Sequence, residues 1–345
     1  MAEKKRLLYL DMLNIAACFC VVWMHCNSIV HSFSDTPVWR QSMVVETVAY
    51  WAVPVFFMLS GATLMNYRSR YTTKQFFLRR FLRVGIPYLF WSGVMLIWKL
   101  KTEQMALPDR SIRTLLNLFL DNRIEPIYWF FFPLFMVYCA MPVLSLLKDN
   151  RRCLWYMTGA AFLTGSLLPI VFQALGLHWN GALGFPAAGG TLLYVLLGYL
   201  LSTAELSRAK RLLIYAGGLL AAVGRYGITY ALSLRDGTLN RLLFNSMGFP
   251  AVLLGAAVFV LFRQLPWEWL FRPDWTRRAI AAVSSCSFGI YLIQMIVIYY
   301  AKQCTGLTPE RFLWRTAGAV GVYLVSLLLV WLMKRIPLLG RWLLP

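Results

Sequence analysis

The stretch LDMLNIAACFCVVWMHCNSIVH, residues 10–31, decides which class of fold the chain can adopt. It is apolar enough to cross a bilayer, which takes roughly 20 mostly apolar residues in a helix. Yet it contains Asp11 and Asn14 near one end and His25 near the other. The stretch therefore predicts a membrane-spanning helix that keeps polar and ionisable side chains inside itself.

The rest of the chain has the composition of a polytopic membrane protein. Of its 345 residues, 59% are hydrophobic and only 14% are charged. A soluble protein of this length needs more polar surface to cover its core. We therefore expect one transmembrane domain over residues 1–345, folded as an all-α bundle of about ten transmembrane helices. The predicted spans are residues 8–30, 43–65, 83–100, 127–146, 153–174, 187–203, 212–234, 243–262, 280–301 and 313–333.

The charge balance predicts the orientation of this bundle. The chain has 34 Lys and Arg residues against 14 Asp and Glu residues, a formal net charge of +20. In membrane proteins such cations mark cytoplasmic loops and contact anionic lipids, so we expect membrane lipids, and no nucleic acid, as partners. With ten spans, about two thirds of the cations fall on the side of the N-terminus. This bias predicts both termini in the cytoplasm and a multi-pass protein of the cell membrane.

The seven cysteines do not form a pattern that binds metal. Most of them lie inside apolar runs. No pair has the Cys-x-x-Cys spacing, and none clusters with histidine at the spacing of a zinc site. We interpret them as small packing residues and expect no metal ion.

The polar side chains of the first span form one stripe. A helix turns by about 100° per residue, so Asn14 and His25 differ by about 20° after whole turns, and Asp11 lies close to the same line. In a membrane, such a stripe faces the bundle interior or a water-filled cavity rather than lipid. The helical rise separates Asn14 from His25 by about 16–17 Å, so the two could line one tunnel without contacting the same atom. A functional His25 is one interpretation, and a purely structural hydrogen bond to a neighbouring helix is the other.

Two arginines follow the second predicted span. Arg80 and Arg83 are spaced i, i+3 and therefore share one face of an α-helix. Paired guanidinium groups bind phosphate oxygens well, so this face could hold a phosphorylated cofactor at the cytoplasmic mouth of the bundle. The alternative is that both arginines only anchor the helix on the cytoplasmic side.

Five short motifs occur along the chain in a fixed order. They are Asp11, Leu13 and Asn14 followed after ten residues by His25; VPVFFMLSG at 53–61; Arg80 and Arg83; Trp129, Tyr138 and Pro142; and SSCSFGIYLIQMIVI at 284–298. Together they resemble the membrane-bound acyltransferase 3 family, whose members O-acylate surface glycans or secreted small molecules. Two positions depart from the pattern of that family. Asn14 stands where the family has arginine, and Gln294 stands where it often has histidine.

The resemblance implies an integral-membrane O-acyltransferase that uses acetyl-CoA as its donor. Arg80 and Arg83 would bind the phosphates of cytoplasmic acetyl-CoA, and the pantetheine arm would pass Asp11 and Asn14. The acceptor would be a hydroxyl of an extracytoplasmic glycan or lipid-linked glycan, at the surface of a bacterial cell. His25 would act as a general base for that hydroxyl, or would carry the acyl group as an acyl-imidazole.

Three further residues complete the predicted site. Glu46 lies near the outer end of the second span and could orient the His25 imidazole, although a carboxylate that faces water at the rim is also common. Arg225 lies inside the seventh span, where a cation is costly unless it faces a cavity, and it could contact an anionic acceptor or a carrier phosphate. Trp129 could stack on a sugar, and an interfacial aromatic belt explains it equally well.

Two other functions remain compatible with the sequence. A transporter or flippase for a polysaccharide precursor or a small molecule would use the same buried polar groups as a pathway, without covalent chemistry. Such folds often contain inverted repeats, and the sequence shows none. A membrane scaffold would not need the polar stripe. No sequence pattern specifies the acceptor, the acyl chain length or the oligomeric state.

Overall fold

The computed structural model of the protein describes residues 7–109 and 111–344, which contain helices and loops and no strand. The α-helices are α1 (Leu8–Cys26), α2 (Pro37–Ala49), α3 (Ala52–Leu64), α4 (Thr73–Arg80), α5 (Ile86–Lys101), α6 (Ile112–Leu120), α7 (Phe131–Leu144), α8 (Arg151–Phe162), α9 (Leu168–Ala174), α10 (Thr191–Thr203), α11 (Arg208–Asp236), α12 (Phe249–Gln264), α13 (Trp267–Leu270), α14 (Asp274–Thr305) and α15 (Ala319–Met333). Short 3₁₀ segments are Ser28–His31, Tyr67–Ser69, Pro126–Phe130 and Gly181–Leu183. Segments of π-helix are Phe81–Gly85, Leu163–Leu167, Trp314–Gly318 and Leu339–Leu343.

Eight helical segments of the described chain are long and apolar enough to cross a membrane. They are Leu8–Cys26, Pro37–Ser69, Thr73–Lys101, Pro126–Leu144, Arg151–Ala174, Arg208–Asp236, Asp274–Thr305 and Trp314–Met333. The helices α10 and α12 are also apolar but shorter, with 13 and 16 residues. These ten segments each overlap one predicted span. The prediction of an all-α polytopic bundle is therefore confirmed, and the chain is a multi-pass membrane protein.

The short helix α10 lies inside the bundle. Every residue from Leu193 to Leu201 is buried, so this helix does not face lipid along its middle. It packs directly against α3, because a Cβ atom on Gly61 would lie 1.9 Å from the carbonyl oxygen of Val195. A Cβ atom on Gly198 would lie 2.1 Å from the carbonyl oxygen of Met58. Small residues at such contacts let membrane helices approach closely, and these two glycines hold α3 beside the site described below.

The first helix is central to the bundle. It packs against α3, α14 and α15, with Leu13, Ala17 and Val22 fully buried. We call the end of the bundle at which α1 begins the inner end, and the end at which α1 finishes the outer end. In the predicted topology the inner end faces the cytoplasm.

The orientation of the bundle can be tested with a reporter that is active only outside the cytoplasm. Fused to the C-terminus of the full chain, the reporter is expected to be inactive, because ten crossings return the chain to the side of the N-terminus. A fusion that ends at His178, after five predicted spans, should be strongly active and serves as the matched control. Strong activity of the full-length fusion would contradict the predicted topology.

Candidate active site

A cavity of about 640 Å³ runs beside α1 through the bundle. Five of the eight predicted site residues line it: Asn14, His25, Glu46, Arg80 and Trp129. The chain direction places Asn14 and Arg80 toward the inner end, and His25 and Trp129 toward the outer end. The structure therefore brings most of the predicted residues to one cavity, which extends from the inner end of the bundle toward the outer end.

At the inner end, Asn14 ties α1 to α14. Its Nδ2 donates hydrogen bonds to the carbonyl oxygen of Ser284 at 2.9 Å, to Ser284 Oγ at 3.0 Å and to Ser287 Oγ at 3.2 Å. The donors of the amide are thus directed to a neighbouring helix, and the two serines line the cavity with it. Asn14 consequently shapes the inner cavity wall more than it offers a free donor to a ligand.

Arg80 supplies a cation at the inner end of the cavity. The side chain is half-buried, and its guanidinium carbon lies 5.8 Å from the ring centres of both Phe76 and Tyr138. Its Nε is buried and has no hydrogen-bond partner within the described structure. The residue lines the cavity, and a guanidinium is a strong donor to phosphate oxygens.

The structure does not bring Arg83 to the cavity. The residue is exposed to the exterior, and the cavity wall does not include it. The expectation that it shares a face with Arg80 assumed a regular α-helix. Instead, the chain forms a π turn over Phe81–Gly85, where each residue advances less around the axis. Arg83 is thereby rotated away from the direction of Arg80.

His25 and Glu46 face the same cavity from different helices. His25 lies in the last turn of α1 and is half-buried. Glu46 lies on α2 with only 4% of its surface exposed, and its Oε2 has no hydrogen-bond partner among the described residues. No hydrogen bond joins these two described side chains, so the expected carboxylate–imidazole contact is not formed between them in this structure.

Arg225 lies behind the cavity wall instead of contacting its space. Only 2% of its surface is exposed. Its guanidinium carbon lies 3.3 Å from the ring centre of Tyr50 and 4.7 Å from that of Phe244. One nitrogen also approaches the carbonyl oxygen of Glu46 at 3.4 Å. Arg225 therefore holds two wall rings by cation–π contact, and the structure does not bring it to the cavity space where an acceptor would enter.

Trp129 lies at the outer end of the cavity with 41% of its surface exposed. It belongs to the 3₁₀ turn Pro126–Phe130. The hydroxyl of Tyr128 in that turn donates to the carbonyl oxygen of Leu292 at 2.7 Å, and the hydroxyl of Tyr291 donates to the carbonyl oxygen of Ile127. These bonds fix the turn on α14, so the Trp129 ring is held at the opening.

Two other residues singled out in the sequence lie off the cavity wall. Asp11 is buried, with 8% of its surface exposed, one turn before Asn14 on α1. Gln294 is fully buried, and its Nε2 donates to the carbonyl oxygen of Tyr291 at 3.2 Å. Within the described residues, no group of three or more His, Cys, Asp or Glu side chains could hold a metal ion.

Some residues that line the cavity were not predicted as site residues from the sequence. Tyr50 follows Glu46 by one helical turn, and this spacing could have identified it. His31 and Arg241 lie in connecting segments, where no periodic pattern reports which way a side chain points. Only the folded chain brings them to the outer end of the cavity.

Comparison with known proteins identifies one family. A family model described as an acyltransferase domain matches residues 7–331. This range contains every residue that lines the cavity. No curated protein and no solved structure matches the chain.

Proposed function

The chain belongs to the acyltransferase 3 family, and on this basis we propose that the protein moves an acetyl group from cytoplasmic acetyl-CoA to a hydroxyl of a glycan or lipid-linked glycan across the membrane. The observation that supports this proposal best is the cavity that joins Arg80 at the inner end to His25, Glu46 and Trp129. Because the acceptor would be a surface glycan, we further propose that the protein acts in the plasma membrane of a bacterial cell.

The cavity suits a donor that enters from the inner end. Arg80 would bind a phosphate of acetyl-CoA through its guanidinium, since the residue lines the inner end of the cavity. The pantetheine arm would then extend past Asn14, and the thioester would lie near His25. Ligand cavities of roughly 300–1,000 Å³ enclose small molecules, and the 640 Å³ of this cavity can accept the arm and part of a sugar.

Two chemical routes fit the residues of the wall. In direct transfer, the neutral His25 imidazole removes the proton of the acceptor hydroxyl as its oxygen attacks the thioester carbonyl. The new C–O ester bond forms, the C–S bond breaks, and the imidazolium returns the proton to the departing thiolate. In the two-step route, an imidazole nitrogen attacks first and the thiol leaves, and the acceptor hydroxyl then attacks the acyl-imidazole.

Glu46 would assist either route by holding the imidazole in a productive orientation. A buried carboxylate costs free energy unless it is paired, and the Oε2 of Glu46 has no partner among the described residues. Arg225 already lies near this carboxyl group, and an imidazolium that forms on His25 during the reaction would add a second positive charge on the cavity side. We therefore assign Glu46 as a positioning residue for His25.

The variant Glu46→Gln is expected to acetylate about tenfold to a hundredfold more slowly, because an imidazole displaced by a fraction of an ångström loses its alignment. Its affinity for acetyl-CoA should stay unchanged, since the phosphate contact lies at the other end of the cavity. The matched control is Glu205→Gln, which changes an exposed carboxylate outside the cavity. Equal rates for wild type and Glu46→Gln would remove Glu46 from the mechanism.

Radiolabelled acetyl-CoA tests the proposed function. The purified protein is incubated with the labelled donor and a surface-glycan fraction from bacteria that lack the gene. Transfer of label to the glycan, or slow hydrolysis of the thioester without an acceptor, supports the enzyme. Strict inertness toward acetyl-CoA, together with movement of unmodified glycan across vesicles, would support a flippase instead.

A further inference from the structure

The outer end of the cavity contains a charged and aromatic group of residues that the steps above do not use. We call Arg241, His31, Tyr50 and Phe244 the outer mouth, since all four line the cavity there. The His31 ring meets the Phe244 ring edge-on, with 6.2 Å between centroids. The Tyr50 ring lies 5.6 Å from the Phe244 ring. A sugar that enters the cavity from outside would pass these rings and the Arg241 guanidinium.

Arg241 belongs to a loop, residues 237–248, that hydrogen bonds attach to the end of α11. The backbone N–H of Asn240 donates to Ser233 Oγ at 2.9 Å. The Nδ2 of Asn240 donates to Asp236 Oδ2 at 2.6 Å. Both bonds hold Asn240, the residue directly before Arg241, against the end of α11. The backbone next to Arg241 is therefore fixed at the outer mouth.

The positive charge of the outer mouth has no ion-pair partner among the described residues. Arg235 pairs with Asp236 at 2.8 Å, whereas no ion pair of the described residues includes Arg241. Glu46 is the one carboxylate on the described cavity wall, and it is buried. Burial and the nearby charge of Arg241 both lower the pKa of His31. The guanidinium of Arg241 thus disfavours a second positive charge on His31.

We propose that Arg241 binds an anionic group of the acceptor, a carboxylate or a phosphate ester, and thereby selects acidic or phosphate-linked glycans. The inference rests on the proposed acetyl transfer to a glycan. The planar fork of a guanidinium matches both anions in geometry. Arg225, which the sequence suggests for this contact, lies behind Tyr50, and Arg241 is the arginine that reaches the cavity from the outer side.

Three probes that differ in charge test the proposal on the full-length protein in lipid nanodiscs. They are octyl glucoside, octyl glucuronide and octyl glucosyl phosphate, which are neutral, carboxylate-bearing and phosphate-bearing. Wild type is expected to bind at least one charged probe about tenfold more tightly than the neutral one. The variant Arg241→Gln should lose this preference. The control Arg235→Gln should keep it, because Arg235 already pairs with Asp236 and does not line the cavity.

The outcomes separate this proposal from the proposed function. Equal binding of the three probes by wild type, or an unchanged charge preference in Arg241→Gln, overturns the anion site. Acetyl transfer from radiolabelled acetyl-CoA is measured in the same samples. Transfer without charge preference removes the anion site and leaves the acetyltransferase standing. Charge-selective binding without transfer or thioester hydrolysis keeps the anion site and contradicts the acetyltransferase. The stronger of the two charged probes identifies the anion as carboxylate or phosphate.

Discussion

Replacing His25 with alanine is expected to slow acetyl transfer by about 10²–10⁴-fold, the usual contribution of a positioned general base. His25 is the imidazole on the polar stripe of α1, and it lines the cavity between the inner donor end and the outer mouth. The affinity for acetyl-CoA should change little, because Arg80 lies at the other end. Transfer is measured with radiolabelled acetyl-CoA, and binding is measured on the same purified variant.

The matched control for His25→Ala is His178→Ala, which removes an exposed histidine of a loop outside the cavity. That control should retain normal transfer. A well-expressed His25→Ala protein that acetylates at the normal rate would overturn the assigned role. Loss of both expression and donor binding would show that His25 is needed for the fold.

Replacing Arg80 with glutamine is expected to weaken acetyl-CoA binding by about tenfold or more, the value of one charge-assisted hydrogen bond. Arg80 lines the inner end of the cavity, so its guanidinium is placed to donate to a phosphate that enters there. Arg83→Gln is the matched control for Arg80→Gln. It makes the same change three residues later, on a side chain outside the cavity, and should leave binding close to wild type.

Calorimetric titration of acetyl-CoA into purified Arg80→Gln and Arg83→Gln shows which of the two arginines contributes to donor binding. If Arg80→Gln binds acetyl-CoA as wild type does, Arg80 is only a topological anchor. If Arg83→Gln is the weaker binder, the donor phosphates lie outside the cavity on the exposed face of the π turn.

The membrane-spanning helices could be predicted well from the sequence because they depend mainly on one quantity, the number of apolar residues in a segment. A segment either has enough apolar residues to cross the hydrocarbon core or it does not. Helix α11 shows that counting apolar residues does not by itself decide whether a helix is continuous. Arg225 and several glycines interrupt its apolar pattern, yet the helix runs unbroken over Arg208–Asp236, because Tyr50 and Phe244 provide aromatic partners for the buried guanidinium.

The site was harder to predict where it depends on exact helix geometry or on loops. The stripe on α1 required only the period of 100° per residue, and the structure places both Asn14 and His25 on the cavity wall. Arg83 was misplaced because a π turn changes that period locally. Arg241 was missed because the direction of a loop side chain depends on tertiary contacts that no local pattern encodes.

We propose that one cavity allows an acetyl group to cross from an inner donor to an outer acceptor. Sealed proteoliposomes with acetyl-CoA only in the lumen and the acceptor glycan only outside test this transfer across the membrane. We predict that acetylated glycan accumulates outside, that acetyl-CoA does not leak, and that His25→Ala vesicles form the product at least about a hundredfold more slowly. Acetylation that occurs only when donor and acceptor share the same side of the membrane would contradict the account.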